Sequence, residues 1–493
     1  MSANYLHGVE TIEVNDGPVP IQLVKTAVIG LVGTAPVFQS AAPCINEPTL
    51  ILNDRAGAQT FGSSLPGYTI PQALRAVWDQ QINNTGRPAV IVVNVFDPAR
   101  HVSRIESESH TFDASGALSL QPGVTGLTLS AEGGAAYVQD ADYALDQASG
   151  LVTRLVTGAI PANARVTADY GFADPSLVTP ADIIGQVDPV TGKRGGIQAF
   201  LDCMNAFGFT PKLLIAPGFS QMAGVAAGLT VSAQTLRAMA FLDAPVGTTF
   251  QQALKGRGPE GDIAFDTSSE RAILCYPHVQ AFDAAQNATA LEPLSQRLAG
   301  LTAATDLAMG YWFSPSNKEI QGVTGLERLL TAGINDPSCD VNLLNEQGIC
   351  TVFNAYGTGL RSWGNRSAAW PSESAPKNFI PIRRVADIIA ESIERASLQF
   401  IDQPITQGLI DAVTESVNGF LRTLIGRGAL DDGKCWYDPS VNPPTELALG
   451  HITFNYDIMP PPPAERISYN ARVNINMLGQ LGVKAQQTQG EAA

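Results

Sequence analysis

The chain has 493 residues, 45% hydrophobic and only 15% charged, with a formal net charge of -16. That length suits two to four domains, and the apolar share supports sizeable cores rather than general disorder. The acidic balance argues against wrapping bare nucleic acid or binding an anionic membrane.

The acid is unevenly placed. Residues 360–484 carry 12 Lys and Arg against 13 Asp and Glu, whereas residues 1–359 carry 18 against 32. A near-neutral end facing a partner and an acidic remainder facing water would explain the split; ordinary scatter would explain it equally well. The six cysteines (Cys44, Cys203, Cys275, Cys339, Cys350 and Cys435) form no C-x-x-C pair. They read as small buried thiols of a reduced, intracellular chain, not as a disulfide framework or a zinc site. The start of the chain shows no signal-peptide pattern. The longest apolar run, residues 27–38, is broken by Gly30, Gly33 and Pro36, so no membrane insertion is expected.

Residues 1–25 read as an arm. "GVETIEVNDGPVPI" holds a short strand over residues 9–14, including Val9, Ile12 and Val14, and then turn chemistry at Asp16, Gly17 and Pro18. Residues 26–97 read as a small α/β unit. "TAVIGLV" and "AVIVVNVF" are continuous apolar runs of the kind buried on both faces of a sheet, and "TLIL" is a shorter candidate strand. "IPQALRAVWDQQI" has helical spacing, with Pro71 tolerated in the first turn.

Residues 98–180 lose helical periodicity. Short segments such as "HTFDASGALSL" and "ARVTADYGF", separated by Gly, Asp and Pro, predict a β-rich surface insertion, a sandwich or small barrel. Residues 181–355 return to alternating strand and helix, the pattern of a largely parallel sheet. There "PKLLIAPG" and "RAILCYP" read as strands and "LEPLSQRLAGLTAATDLAMG" as mostly helix. "SAQTLRAMAFLDA" reads as a helix with Ser232 as its N-cap. Residues 356–484 form a last unit. Two amphipathic helices, "VADIIAESIERASLQFI" and "ITQGLIDAVTESVNGFLRTLIGRG", precede "HITFNYDI" and then "PPPPAERISYNARVNINML". In that last stretch Ile467, Tyr469, Ala471, Val473, Ile475 and Met477 alternate with polar residues, which predicts a strand behind a stiff spacer. Residues 485–493 read as a disordered tail.

Motifs for chemistry are weak. "AVIGLVGTAP", with Asp54 further on, lacks the third glycine of a dinucleotide loop, and Pro36 stands where its helix should begin. "GRGPEG" (256–261) follows a helix pattern, not a strand. "GFSQM" has Met222 where the nucleophile elbow around Ser220 needs glycine. Lys193 lacks the upstream glycine of a P-loop. The histidines His7, His101, His110, His278 and His451 show no metal-ligand spacing, and Asp431 and Asp432 sit in a turn pattern. An α/β hydrolase or dehydrogenase with a β accessory domain would need a nucleophile or a cofactor loop. "LRSWGNRSAAW" concentrates Arg361, Trp363, Arg366 and Trp370, residue types favoured at interfaces; a Trp-plugged core with Arg on its rim is the packing alternative.

Taken in order, these segments resemble the contractile phage tail sheath proteins and related contractile injection systems. The resemblance rests on "YLHGVETIEVNDGPVPI", "TAVIGLVGTAP", "DLAMGYWFSPSNKEIQGVTGLE", "LNEQGICTV", "GTGLRSWGNRS" (Ser367 for the usual Thr), "IPIRRVADII" and "PPPPAERISY". Gln296 departs from a glycine common in the family. The resemblance implies an α/β multidomain protein: a subtilisin-like middle domain without catalytic residues, a β-rich insertion, and an α+β inner domain with extended arms. It implies a structural subunit with no enzymatic activity and no cofactor or metal. Hexameric rings would stack helically around a tail tube, with baseplate and tail terminator proteins as further partners. Assembly would take place in the bacterial cytoplasm and the product would be part of the virion. Contraction would drive the tube through the bacterial envelope for genome ejection; a headless injection device is the alternative. It also implies that Val9, Ile12, Val14, Ile467, Tyr469, Val473, Ile475 and Met477 belong to strands added to neighbouring subunits. A strand completing its own sheet, and an insertion that binds glycan or receptor, are the competing readings.

Overall fold

The computed structural model describes residues 20–40, 42–131, 134–283, 287–355, 357 and 359–476. Val9, Ile12, Val14 and Met477 therefore lie outside the described residues. The chain divides after Pro462 into two units, each described by itself below.

In the first unit, β1 (Val28–Gly33) is buried along its whole length, as its apolar sequence requires. β2 (Thr49–Ile51) is short; α1 (Asp54–Phe61) starts under an Asn53 cap, and α2 (Ile70–Asp79) buries Leu74, Val77 and Trp78. β3 (Ala89–Asn94) lies in parallel register beside β1.

The chain then builds β4 (Val102–Thr111), β5 (Ala117–Ser119), β6 (Val124–Ala131), β7 (Tyr143–Asp146), β8 (Leu151–Arg154) and β9 (Arg165–Ala173). They form two antiparallel three-stranded sheets, ordered β4-β9-β6 and β5-β8-β7, around one apolar cluster that includes Phe112, Leu129, Tyr143, Val152 and Val166.

After the short helices α3 (Pro180–Ile184) and α4 (Cys203–Phe207) come β10 (Leu213–Ile215), α5 (Ala223–Leu236), β11 (Met239–Asp243), α6 (Phe250–Lys255) and β12 (Ala272–Cys275). The expectation of a helix capped by Ser232 is corrected here. Ser232 lies inside α5, Arg237 closes that helix in a left-handed conformation, and "MAFLD" is a buried strand. Apolar residues in that run satisfy both periods, and the strand pairing decides. A hairpin, β13 (Val279–Asp283) and β14 (Ala288–Glu292), precedes the long buried helix α7 (Leu294–Ala308). β15 (Gly325–Leu326), α8 (Asp340–Glu346), β16 (Ile349–Ala355) and β17 (Gly359–Trp363) follow.

The main sheet has eight strands in the order β17-β16-β12-β11-β10-β1-β3-β2, parallel except at its two ends. Strands from residues 26–97 and from 213–363 thus share one core. The division expected at 355/356 falls inside the β16–β17 hairpin, because β17 pairs with β16 from Thr351–Trp363 to Ala355–Gly359. The outer side of β17 is covered by its own chain: Asn317 donates to Ser362 and Ile320 to Leu360 through main-chain bonds.

Finally α9 (Ile380–Ser397) and α10 (Gln407–Gly426) pack through Val385, Ile388, Ile389, Val417, Phe420 and Leu424. β18 (Asp432–Tyr437), α11 (Pro444–Ala448) and β19 (Phe454–Met459) follow, with β18 and β19 forming a sheet of two antiparallel strands. In the second unit, residues 463–474 carry no regular secondary structure, so the expected strand is not formed in the single chain.

Candidate assembly site

Helix α9 is fastened to the α/β body by a row of ion pairs along one side. Arg384 holds Asp306 at the end of α7 (Nη1 to Oδ1, 2.7 Å). Asp387 receives Arg271, the residue just before β12, and Arg383, one turn back, which also reaches Glu270 at 3.1 Å. One turn on, Glu391 pairs with Lys212, just before β10, and Glu394 takes both guanidinium nitrogens of Arg237 at 2.6 Å. Arg395 ends the row on the Gly208 carbonyl at 2.6 Å. Lys212, Arg237 and Arg271 lie just before β10, β11 and β12, so the helix crosses the N-terminal ends of these three neighbouring parallel strands. Burial pulls the Lys212 ammonium below the ordinary lysine range despite Glu391. Sequence reading placed the apolar side of α9 but missed this row; the charges at 383, 384, 387, 391 and 394, spaced by helical turns, were its only local signal.

Residues 20–25 cross the same helices. The Val24 N–H donates to Ser392 at 3.3 Å, and the Lys25 ammonium lies 4.1 Å over the Phe209 ring. Residues 20–23 and α10 border a groove of ~640 Å³, whose helix side mixes small residues such as Ala412 and Gly419 with Glu415, Phe420 and Leu424. The N-terminal segment therefore enters the body between α9 and α10.

The β18–β19 sheet rests its Cys435 side on α10, with Phe454 and Ile458 packed against the same cluster. Asn418 on α10 bonds both main-chain groups of Cys435, accepting from its N–H at 2.8 Å and donating to its carbonyl at 2.9 Å. A sheet of two strands is marginal alone; here one helix supports one face. On the unit beyond Pro462, Ile467, Tyr469, Val473 and Ile475 are 67%, 88%, 99% and 74% exposed. Four large apolar side chains so exposed in one short segment are the site's clearest anomaly.

The Trp and Arg cluster is engaged within the chain. Trp363 stacks on Phe353 with ring centres 4.6 Å apart, and Arg361 holds both the side chain and the carbonyl of Asn317 at 2.8 Å. Arg366 is sandwiched between the Trp370 and Phe379 rings, 4.0 and 4.1 Å from their centres. These are packing contacts of the β16–β17 edge and of the turn into α9.

The residues weighed for chemistry have structural partners. Gly30 and Gly33 admit close neighbours: a Cβ at Gly33 would meet Thr69 Oγ1 at 2.3 Å. Asp54 opens α1 and pairs with Arg87, and Lys193 pairs with Glu47 on the surface. Ser220 is fully buried and donates to Asp243 Oδ2 at 2.8 Å, while Asp243 Oδ1 accepts the Ser295 N–H. Burial raises the Asp243 carboxyl above the usual range. "GRGPEG" follows α6, and its Arg257 donates to five carbonyls, those of Gln347, Phe265, Thr267, Ala368 and Trp370. No helix among the described residues is long and apolar enough to cross a membrane.

Comparison with known proteins identifies the family. Residues 192–368 match the phage tail sheath protein central domain, and residues 372–474 match the phage tail sheath C-terminal domain. The tail sheath protein of Burkholderia phage BcepMu is 52% identical over 482 residues, covering 97% of this chain and 98% of the relative. The chain belongs to the phage tail sheath protein family. The tail sheath protein of Escherichia phage P2 is 25% identical over 97% of this chain and 98% of its own. The contracted helical sheath of the anti-feeding prophage shares the fold, with a TM-score of 0.59 at 15% identity over 96% of this chain and all of that one. The tail sheath family is a structural one. The residues matched to its C-terminal domain include α9, α10 and the β18–β19 sheet.

Proposed function

We propose that this tail sheath protein polymerises around a tail tube and contracts to drive the tube through the bacterial envelope. Copies form hexameric rings that stack helically, joined by arms that add strands to neighbouring copies. The supporting observation is the pairing of opposites in one C-terminal domain: a two-stranded sheet short of partners, and an exposed alternating segment without one. Strand addition would supply main-chain hydrogen bonds between copies, and a head-to-tail contact of this kind builds rings and helices rather than closed dimers. The exposed residues Ile467, Tyr469, Val473 and Ile475, with Met477 beyond them, form the C-terminal arm; Val9, Ile12 and Val14 form the N-terminal one.

The eight-stranded sheet with its helices is the subtilisin-like middle domain, used as a rigid body and not as an enzyme. Residues 98–180 are the outward decoration, and the near-neutral C-terminal domain faces the tube. Energy is stored during assembly in a kinetically trapped lattice, so no cofactor or nucleotide is needed. Tube, baseplate and tail terminator proteins are the further partners, and the assembled protein is a component of the virion. Negative-stain electron microscopy of the full chain tests this reading: striated hollow tubes are expected, and none from a chain lacking residues 1–19 and 463–493. Tubes from that truncated chain would overturn it.

A further inference from the structure

Helix α5 carries no charged residue from Ala223 to Leu236. A helix bare of charge is expected where all its sides are covered. Yet Ala223, Gly224 and Ala227 are exposed, and Val231 is 67% exposed. Ala227 and Val231 border a groove of about 570 Å³ between α5 and residues 261–267, with Leu242 and Ile263 as further apolar lining. Two exposed carboxylates, Asp262 and Asp266, stand on the wall opposite α5, and among the described residues no basic side chain lines the groove.

A hairpin on the other flank of α5 has the opposite character. A Cβ at Gly224 or Gly228 would meet Ile184 at 3.5 Å, so the end of α3, and the hairpin of residues 186–195 that follows it, lie along that flank. The Asp188 N–H donates to the Lys193 carbonyl and the Gly192 N–H to the Asp188 carbonyl, each at 2.8 Å. The Asp188 carboxylate accepts from the Val190 N–H at 2.8 Å and from Thr191 Oγ1 at 2.6 Å, so its charge is held within the turn. What remains outward is apolar and basic: Val190 is 90% exposed, Val187 is exposed beside it, and Lys193 and Arg194 follow. Lys193 meets Glu47 in a pair open to water, which is worth little and is readily exchanged.

We propose that the 186–195 hairpin of one copy docks in the α5 groove of the next, with Val190 against Val231 and Lys193 facing Asp262 and Asp266. This rests on the polymerising reading above but not on the arms. Apolar and charged parts then match together: the valines cover the uncharged face of α5, and the lysine meets carboxylates that have no basic neighbour in the groove. The positions suit a repeating contact. Lys193 and Gly196 are tied to Glu47 and Asn46, just before β2 at one end of the main sheet, whereas Leu242 belongs to β11, beyond β3, β1 and β10. Hairpin and groove are different surfaces on two flanks of one helix, so the contact is head-to-tail and repeats from copy to copy. Because the turn is already held by Asp188, docking orders little new chain.

Paired cysteines in assembled tubes test the contact. Val190→Cys with Val231→Cys, in a Cys44→Ser chain, is expected to give a ladder of linked copies on a non-reducing gel after brief oxidation with diamide. Tubes without a ladder overturn the docking and leave polymerisation intact, whereas a native chain that forms no tubes at any concentration refutes polymerisation and the docking with it. Val231→Glu is expected to raise the concentration at which tubes form by about tenfold or more, since docking would bury an unpaired carboxylate. The unassembled variant should melt as the native chain does, because that side chain faces water. Lys193→Glu and Asp262→Lys should each raise the same concentration several-fold, and the two together should bring it back. Failure of the swap to restore tubes overturns the pairing; should Val231→Glu disturb folding, this swap of two exposed side chains decides alone.

Discussion

Arg271 donates to Asp387 across the seam between the start of β12 and the middle of α9, with Nη2 2.8 Å from Oδ1. Their side chains are 6% and 5% exposed, so both charges have left water, with Arg383 as a second partner of Asp387. Breaking one side of such a pair costs about 3–5 kcal/mol, because the other charge stays buried alone. Asp387→Ala is therefore expected to lower the unfolding free energy of the unassembled chain, read from urea denaturation, by about 3–5 kcal/mol. An apolar pair, Arg271→Met with Asp387→Leu, is expected to lose much less, since no charge is then stranded. Equal losses from the single and double variants would mean that the seam is held by its apolar contacts alone.

The five-carbonyl hold of Arg257 gives a second prediction. Lysine keeps the charge but offers three donors from one point, and it cannot reproduce a planar fork reaching five carbonyls. Arg257→Lys is expected to destabilise by about 2 kcal/mol or more, as buried carbonyls lose partners. Hydrogen exchange should rise locally at residues 256–267 and 368–370, the segments that the guanidinium ties together. Unchanged protection there would remove Arg257 from this role.

Legibility followed the range of the interaction. β1 and β3 were readable because strands buried on both faces show as unbroken apolar runs, and α9 and α10 because their apolar residues repeat at helical spacing. The α5–β11 boundary was not, since Leu236 to Ala244 suits either period until β11 finds β10 and β12. The partners of the ion-pair row were not readable for a different reason, although the charges along α9 repeat at helical turns. Arg271 and Asp387 lie 116 residues apart, and nothing near either names the other. Asn418 was missed likewise: one polar residue in a helix gives no hint that it bonds both main-chain groups of Cys435. The alternation in the arm predicts a strand, whereas residues 463–474 carry no regular secondary structure in the single chain.

Thiol reactivity should follow burial. Burial pushes the Cys203 and Cys350 thiols up to about 12 and raises Cys275 and Cys435, which leaves them protonated at neutral pH. Of the six cysteines only Cys44 is not buried. The native chain is expected to release about one equivalent of thionitrobenzoate promptly from Ellman's reagent, and six after denaturation. Cys44→Ser should abolish the prompt phase. Prompt reaction of more than one thiol would show that a core opens readily.

Stability should fall on the alkaline side. Burial raises Tyr170 and Tyr276 from 10.0 to about 12, with Glu108 adding to the shift at Tyr170. A group raised on folding favours the folded state fully below its unfolded value, and loses that contribution as pH rises through its folded one. The window is therefore about pH 10 to 12. Urea midpoints should drop across it, and Tyr170→Phe should flatten part of the drop; a midpoint constant to pH 12 would contradict the shifts.

The last prediction concerns the β-rich insertion. Its ends are already neighbours: the Asp174 N–H donates to the His101 carbonyl at 3.0 Å, and Ser103 donates to Asp174 at 2.6 Å. Its apolar cluster is separate from that of the main sheet. Removing residues 102–173 and joining His101 to Asp174 through Asn-Gly would ask only for a tight turn at an existing close approach. The main sheet loses no strand by it, since β3 ends at Asn94 and β10 begins at Leu213. The cost falls at the base, where Tyr68 gives up its hydrogen bond to the Ala173 carbonyl at 3.2 Å. The shortened chain is expected to fold with a small drop in melting temperature and still form tubes, thinner in outline by electron microscopy. If tubes fail while the chain folds, the insertion takes part in contacts between copies. If the chain itself fails to fold, the insertion and the main sheet are one cooperative unit despite their separate cores.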